Sequence, residues 1–434
     1  MQRRDFLRTL TLSLLVPAAA TASRRQLPGE RLFLPEDFGA TGDGVARDDD
    51  AFDALLAELH AAGGGVIRCR PDAIYAMQRD KRIATSDVEI DGRGCSFTGD
   101  GRWLVDGDPG VAGGTPRVRN VHLHDFSLRE HGAFPAPRGP RLDWVAASSL
   151  VRIGKYGRTG TYFNLHNCRD CHASELEGVG SRGAIGMLLF HCHDCTVADS
   201  DFRDGDGDDG THSIVLQVKG GSGNRIQRVR AVGIRGRSVR GVFYCRGDAP
   251  WRAAPDAGTY PYANGRDWSQ VDPDRQTRDT LWEDCEAVDC GNSNTVLCQE
   301  SSRIVFRRCR SIGAGTFRVV STRGGPVEDI VFEDVVSERA GSHAFDIAGH
   351  DADAPIRGLV VRRARISAPE GAGLRLRHAE GVVEDVEIVE PGGDGVVVAD
   401  SARARFAGVV IDRPRGRVAR AAGNGLPAGI SERR

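Results

Sequence analysis

The spacing Cys168-x-x-Cys171 followed one short block later by Cys192-x-x-Cys195 constrains this chain more than any other feature. Taken alone, two such pairs read as a zinc site. Their neighbours carry a different message. Leu165, Cys168, Asp170 and Cys171 are matched, in order and at one constant offset, by Leu189, Cys192, Asp194 and Cys195. A short block recurring at a fixed period of about 20 to 50 residues marks a solenoid, in which each turn stacks on the last. Cys168 then lies over Cys192 and Cys171 over Cys195, about one strand spacing of 4.8 Å apart. Stacked side chains point the same way, which aims them poorly for disulfides. Small apolar thiols inside a coil explain the spacing without a metal. The 11 cysteines are also an odd number, against a fully paired disulfide framework.

The rest of the chain fits that reading. Short apolar strands alternate with glycine, aspartate and asparagine turns, without helical periodicity. Val88, Val121 and Thr196 begin early rungs. Ile304, Ile330, Leu359 and Val382 begin later ones, at separations that fit one rung plus a variable loop. The repeats fade after Arg405, and the tail from Arg415 reads as a frayed end or loose cap. A repeat array can be one long domain, and the expected fold is an all-β, single-stranded parallel solenoid over residues 30–434.

Ahead of it, residues 1–22 read as a targeting segment. Arg3-Arg4-Asp5-Phe6-Leu7 is a twin-arginine pattern, an apolar run follows from Leu10 to Val16, and Ala20-Thr21-Ala22 offers a cleavage site. The run is too short to span a bilayer. The expectation is export by the twin-arginine route to the periplasm or the medium. Net charge is −2, and removing Arg3, Arg4, Arg8 and Asp5 takes it to −4, so nothing draws the chain to nucleic acid. The 58 basic residues include three lysines, Lys81, Lys155 and Lys219. In so arginine-rich a chain a lysine is the better pointer to function.

Glu36-Asp37-Phe38-Gly39-Ala40-Thr41-Gly42-Asp43-Gly44-Val45-Ala46-Arg47-Asp48-Asp49 leads into an amphipathic stretch. Phe52, Leu55, Leu56 and Leu59 share one helical face, and Asp48 to Asp50 suit the helix start. Gly63-Gly64-Gly65 ends the helix before the strand Val66-Ile67-Arg68-Cys69. This opening resembles the N-terminal segment of the pectate-lyase-like right-handed β-helix superfamily. The resemblance implies a right-handed parallel β-helix whose open end is capped by the helix, with the cap at about residues 36–70. It implies little about activity, since lyases, hydrolases and phage tailspikes share the opening.

Two segments break the period. Residues 129–148 hold Pro135, Pro137, Pro140 and Trp144, and residues 247–280 hold Trp251, Tyr260, Tyr262 and Trp268. Loops that stacking does not need are candidates for a binding wall, and aromatic rings there suit the C–H faces of sugars. Covering the coil's own apolar surface is the competing role.

The strand Ile214-Val215-Leu216-Gln217-Val218-Lys219 alternates faces, so Gln217 and Lys219 face out. Aligning glycine turns places Arg246 over Lys219 and Gln299 over Arg246. Val218, Cys245 and Cys298 form the matching inward ladder. A lysine beside a guanidinium is disfavoured as a second cation and so is prepared to act as a base. The arginine can hold a uronate carboxylate in a fork, and Tyr244 can protonate a leaving oxygen. The pair is similar to that of the chondroitinase B and alginate lyase branch of the superfamily, where a lysine in Lys-Ser-x-x-Asn and an arginine on the next turn act as base and charge neutraliser. Here the stretch Lys219-Gly220-Gly221-Ser222-Gly223-Asn224 is one residue longer and has no serine after the lysine, and Arg246-Gly247-Asp248 replaces Arg-His-Gly.

Other residues keep other chemistries open. His191 and His193 flank Cys192 and face away from it if Cys192 is inward, and His212 leads into the Lys219 strand. Each could assist a lyase or an epimerase, and each is also an ordinary surface position. Asp204, Asp206, Asp208, Asp209 and Glu300 could serve a glycoside hydrolase, which needs two carboxylates about 5 to 9.5 Å apart. Of the polygalacturonase patterns only Gly207-Asp208-Asp209 is found. The same aspartates offer oxygen ligands to calcium, the one cofactor the sequence raises. The expected function is a lyase cleaving an anionic uronic-acid polymer by β-elimination. A hydrolase, a uronate C5 epimerase and a non-catalytic carbohydrate-binding surface protein are the alternatives, as a monomer or a homotrimer.

Overall fold

The computed structural model describes residues 31–110, 115–157, 162–180, 185–207, 214–236, 241–247, 276–291, 294–321, 327–351, 355–399, 403–421 and 428–433, with the backbone alone at 206, 207 and 236. The leader and most of residues 247–280 lie outside them.

Alternating apolar residues and tight turns wind the chain into a parallel β-solenoid of about 12 turns. Each turn lays down three short strands, so the coil has three sheet faces. The first face stacks Gly65–Arg68, the starts of Val88–Thr98 and Val121–Leu128, and their successors through Arg403–Ala407. The second carries the later halves of those strands, with Ile74–Ala76 at one end and Val409–Asp412 towards the other. The third runs from Lys81–Ile83 through Trp103–Asp106, Arg141–Asp143, Phe163–His166, Ile185–His193, Ile214–Ser222, Gly241–Arg246 and Asn294–Gln299 to Ala419–Ala421. Parallel crossovers of this kind take the right-handed sense.

The bend between first and second faces turns on one left-handed residue per rung, among them Asp125, Arg152, Asp199, Arg228, Asp284, Arg308, Asp334 and Arg363. Aspartate tolerates that conformation, while each arginine is gripped by the aspartate one rung below. Arg308, for example, donates to both oxygens of Asp284 at 2.7 and 2.8 Å. Inside the coil, Trp282, Phe306 and Phe332 form a stack with centroids 5.8 and 5.1 Å apart.

The cysteines stack as the repeat predicts. Bridges pair Arg169 with His193, His166 with Phe190 and His172 with Thr196, which sets Cys168 over Cys192 and Cys171 over Cys195. All the cysteines are buried and free. Their thiols donate to backbone carbonyls, Cys192 Sγ to Leu165 O at 3.2 Å and Cys168 Sγ to Leu142 O at 3.4 Å.

The cap forms as expected. The helix Asp49–Ala62 buries Phe52, Leu55, Leu56 and Leu59 and ends on left-handed Gly63. Phe52 meets Tyr75, Phe97 and Trp103 edge-on at 5.3 to 6.0 Å, closing the apolar end of the coil. The acidic run does more than face a dipole. Asp48 accepts from the N–H groups of Thr41 and Ala76 at 2.7 and 2.9 Å, and Asp49 from those of Gln78 and Arg79.

Three expectations shift. Val382 pairs with Val360 rather than Leu359, because an irregularity between Ile356 and Leu359, where Gly358 takes φ 67°, slips the register by one. The coil also continues past Arg405 to Ile430–Arg433, which pairs with Val409–Asp412. Finally, residues 129–148 are not all loop: Arg141–Asp143 is a rung of the third face, because Leu142 fills the same interior ladder as Val105 and Leu165.

Candidate active site

The third face gathers the polar side chains that stacking does not need. Register puts Arg246 on Lys219 and Gln299 on Arg246, and the inward partners are Val218, Cys245 and Cys298. Neighbouring strands lie about 4.8 Å apart, so the lysine and the guanidinium leave the sheet side by side. Following the column in the other direction, Lys219 lies over Phe190, His166, Asp143 and Asp106 in turn. A parallel column holds Arg141, Asn164, Leu188, Gln217, Tyr244, Leu297 and Arg318.

Lys219 is 4% exposed, with Nζ 5.0 Å from the Phe190 ring centre. Phe190 packs with Trp144 and Leu188 and touches two imidazoles, stacked on His191 at 4.3 Å and tilted against His166 at 5.4 Å. Trp144 therefore builds the floor of the site. His191 sits on a left-handed bend, and a Cβ on Gly220 would come within 2.8 Å of its Cδ2. Glycine after Lys219 is what admits the imidazole to that bend. His193 lies further round, near Ser222.

Tyr244 is buried with Ile214 and Leu297, and its hydroxyl donates to Gln299 Oε1 at 2.6 Å. Gln217 is buried one rung before it, and Glu300 is buried on the bend after Gln299. The strand Gly241–Arg246 precedes the period-breaking segment, and Thr277–Glu283 is the first strand described after it. There Gly220 N–H donates to Thr277 Oγ1 at 2.9 Å, and that hydroxyl donates to Arg246 O at 2.5 Å. One threonine thus ties the start of strand Thr277–Glu283 to the backbones of both Lys219 and Arg246 strands.

His166 and Asp143 escaped the sequence reading. Burial holds His166 well below the usual histidine range, helped by the nearby guanidinium groups of Arg141 and Arg102, so it stands as a neutral imidazole. Burial pushes Asp143 up to about 6; Arg141, which donates to it at 2.6 Å, opposes that rise and Asp106 adds to it. Stepping the column back from Lys219 one rung at a time reaches Phe190, His166 and Asp143. The cysteine ruler held the step from Phe190 to His166.

Trp251, Tyr260, Tyr262, Trp268, His212, Asp208 and Asp209 lie outside the described residues, as does the side chain of Asp206; Asp204 is exposed on a bend. Among the described residues, the one group of three or more His, Cys, Asp or Glu with ligand atoms within 4.8 Å of one another is Asp91, His124 and Asp125, on the first face. The four stacked cysteines form no such group.

The sequence matches no protein-family model and no curated protein. Solved structures do match in shape. The catalytic unit of a thermostable GH87 alpha-1,3-glucanase from Streptomyces thermodiastaticus aligns with 90% of this chain and 69% of its own, at TM-score 0.62 and 13% identity. A GH87 alpha-1,3-glucanase catalytic domain in complex with tetrasaccharides aligns with 90% of this chain and 67% of its own, at TM-score 0.52 and 10% identity. An Azotobacter vinelandii mannuronan C-5 epimerase module covers 93% of this chain and 99% of its own at 12% identity, with a TM-score of 0.38. Likeness at these identities shows the fold.

Proposed function

We propose that the protein is an exported enzyme that cleaves a uronic-acid-containing polysaccharide by β-elimination on the third face. The observation that carries the reading is the register of Lys219 under Arg246, on a floor of Phe190 and between buried polar side chains. Lys219 takes the proton from C5 of the uronate. Arg246 holds the carboxylate in a bidentate fork as it gains enolate charge. The C4–O bond then breaks, and the leaving oxygen takes its proton from Tyr244, whose hydroxyl Gln299 positions at rest. One fragment gains a hydroxyl and the other a C4–C5 double bond. Arg246, Arg141 and Arg318 along the face suit an anionic polymer.

A second reading rests on Asp143. Asp143, its carboxyl pushed up to about 6, lies one rung from a second carboxyl group, Asp106, and glycoside hydrolysis uses two such groups. The GH87 likeness in shape is in keeping with it. The test is incubation of the protein with a panel of uronate and neutral glucan polymers, following ultraviolet absorbance of the unsaturated product together with reducing ends. Elimination raises both, and Lys219→Ala slows it by about 10²- to 10⁴-fold, the usual contribution of a positioned base. Reducing ends alone, lost in Asp143→Asn and kept in Lys219→Ala, make the enzyme a hydrolase and end the lyase assignment.

A further inference from the structure

We propose that Asp91, His124 and Asp125 bind one divalent first-row transition-metal ion, with zinc as the test case, on the first face and apart from the Lys219 column. The three residues come from consecutive rungs, Asp91 on Val88–Thr98 and the others on Val121–Leu128, with Asp91 directly paired to His124. Their ligand atoms lie within 4.8 Å of one another, and all three side chains are half-buried, open enough for an ion to enter.

The surroundings hold each ligand in place. His124 Nε2 is 3.2 Å from Glu89 Oε1, which directs Nδ1 towards Asp125 Oδ2 at 2.7 Å. A carboxylate on the far ring nitrogen is the arrangement that fixes the tautomer and orientation of a metal-binding histidine. Asp125 is gripped by Arg152 at 2.6 and 2.9 Å, and Asp91 by Arg68 at 3.2 Å. Binding releases the Nδ1 proton to solvent, replaces the Nδ1–Oδ2 contact with two bonds to the ion and leaves those outer partners where they are.

The same column shows why this rung differs. Further along, carboxylates alternate with arginines as Glu283, Arg307, Glu333 and Arg362. A guanidinium has no lone pair to give a metal. At His124 the cation's place is taken by an imidazole, which does. One imidazole with two carboxylates suits zinc or its first-row neighbours better than calcium, which prefers oxygen alone. Three protein ligands leave room for water on the ion.

The test is calorimetric titration of the metal-free full-length protein with zinc chloride, repeated with cobalt chloride while recording the visible spectrum. The expected result is one ion per chain for both metals, visible cobalt bands and a melting temperature that rises with zinc concentration. His124→Gln should abolish the binding while keeping the metal-free melting temperature. Glu89→Gln, which removes only the orienting carboxylate, should weaken it by about 10- to 100-fold. No saturable one-to-one binding by the wild-type protein overturns the proposal and leaves an ion-pair cluster only. So does a His124→Gln variant that binds as tightly as wild type. If His124→Gln does not fold, Glu89→Gln decides, and unchanged affinity there overturns the proposal.

Discussion

Lys81, Lys155 and Lys219 are the chain's three lysines, and each has its side chain out of water. Lys81 reaches the helical cap, with Nζ 2.9 Å from Asp49 Oδ1 and 2.8 Å from Asp53 Oδ1. Lys155 donates to Pro137 O at 2.7 Å and lies 4.8 Å from the centre of the Tyr162 ring. Rarity therefore marks a structural use in two cases and a candidate catalyst in one. Burial pulls Lys155 down to about 8. Between that value and the ordinary one near 10.5, the unfolded chain binds the proton that the folded chain has released. This residue therefore makes stability rise with pH through that window, and costs stability below it, on the order of 3 kcal/mol. Urea unfolding between pH 7.5 and 10.5 should show that rise for wild type relative to Lys155→Met. Equal pH slopes for the two proteins would contradict the assignment.

At the scale of elements, the site depends on how strand Thr277–Glu283 is joined to the strands of Lys219 and Arg246. Thr277 carries that junction, joining Gly220 N–H to Arg246 O. Thr277→Val leaves a buried N–H without its acceptor and should cost about 1 to 3 kcal/mol in urea unfolding. It should also lower kcat/KM on the polymer. Thr280→Val makes a useful control, since Thr280 is equally buried but its hydroxyl donates to Arg278 O at 3.1 Å. If the two variants lose activity alike, the junction does not position the site. The Lys219–Arg246–Gln299 ladder was legible in the sequence because glycine turns flank each of those strands and alternation is strict. His166 lies on the cysteine period, one rung before Phe190, whereas Asp143 is hidden because proline-rich residues 129–140 obscure the rung that follows them. Only the packing of Leu142 between Val105 and Leu165 reveals that rung.

Across the whole molecule, one interior is shared by about 12 turns, and each turn touches its neighbours alone. The aromatic stack Trp282–Phe306–Phe332 makes three of those turns continuous. Phe332→Ala should cost about 3 to 5 kcal/mol. Hydrogen exchange should show the loss concentrated in strands Ser301–Arg307, Val327–Glu333 and Ile356–Arg362. A loss spread evenly from Gly65–Arg68 to Ile430–Arg433 would mean that the coil opens as one unit.

What the sequence determined by itself was the coil: its period, its cap and which side chains face inward. Those follow from local rules, since alternation and turn residues act within a few positions and stacking repeats them. The Cys168–Cys171 and Cys192–Cys195 pairs are the case in point, a zinc-like spacing that the period alone turns into a ladder of buried thiols. Tertiary structure decided which outward residues share a face. A bend residue such as Gly220 or an insert such as 129–140 changes the residue count per rung without changing the stacking, so sequence distance ceases to measure height along the coil. His166 joined Lys219 and Asp91 joined His124 for that reason: contact follows register, and register is fixed by the packed interior.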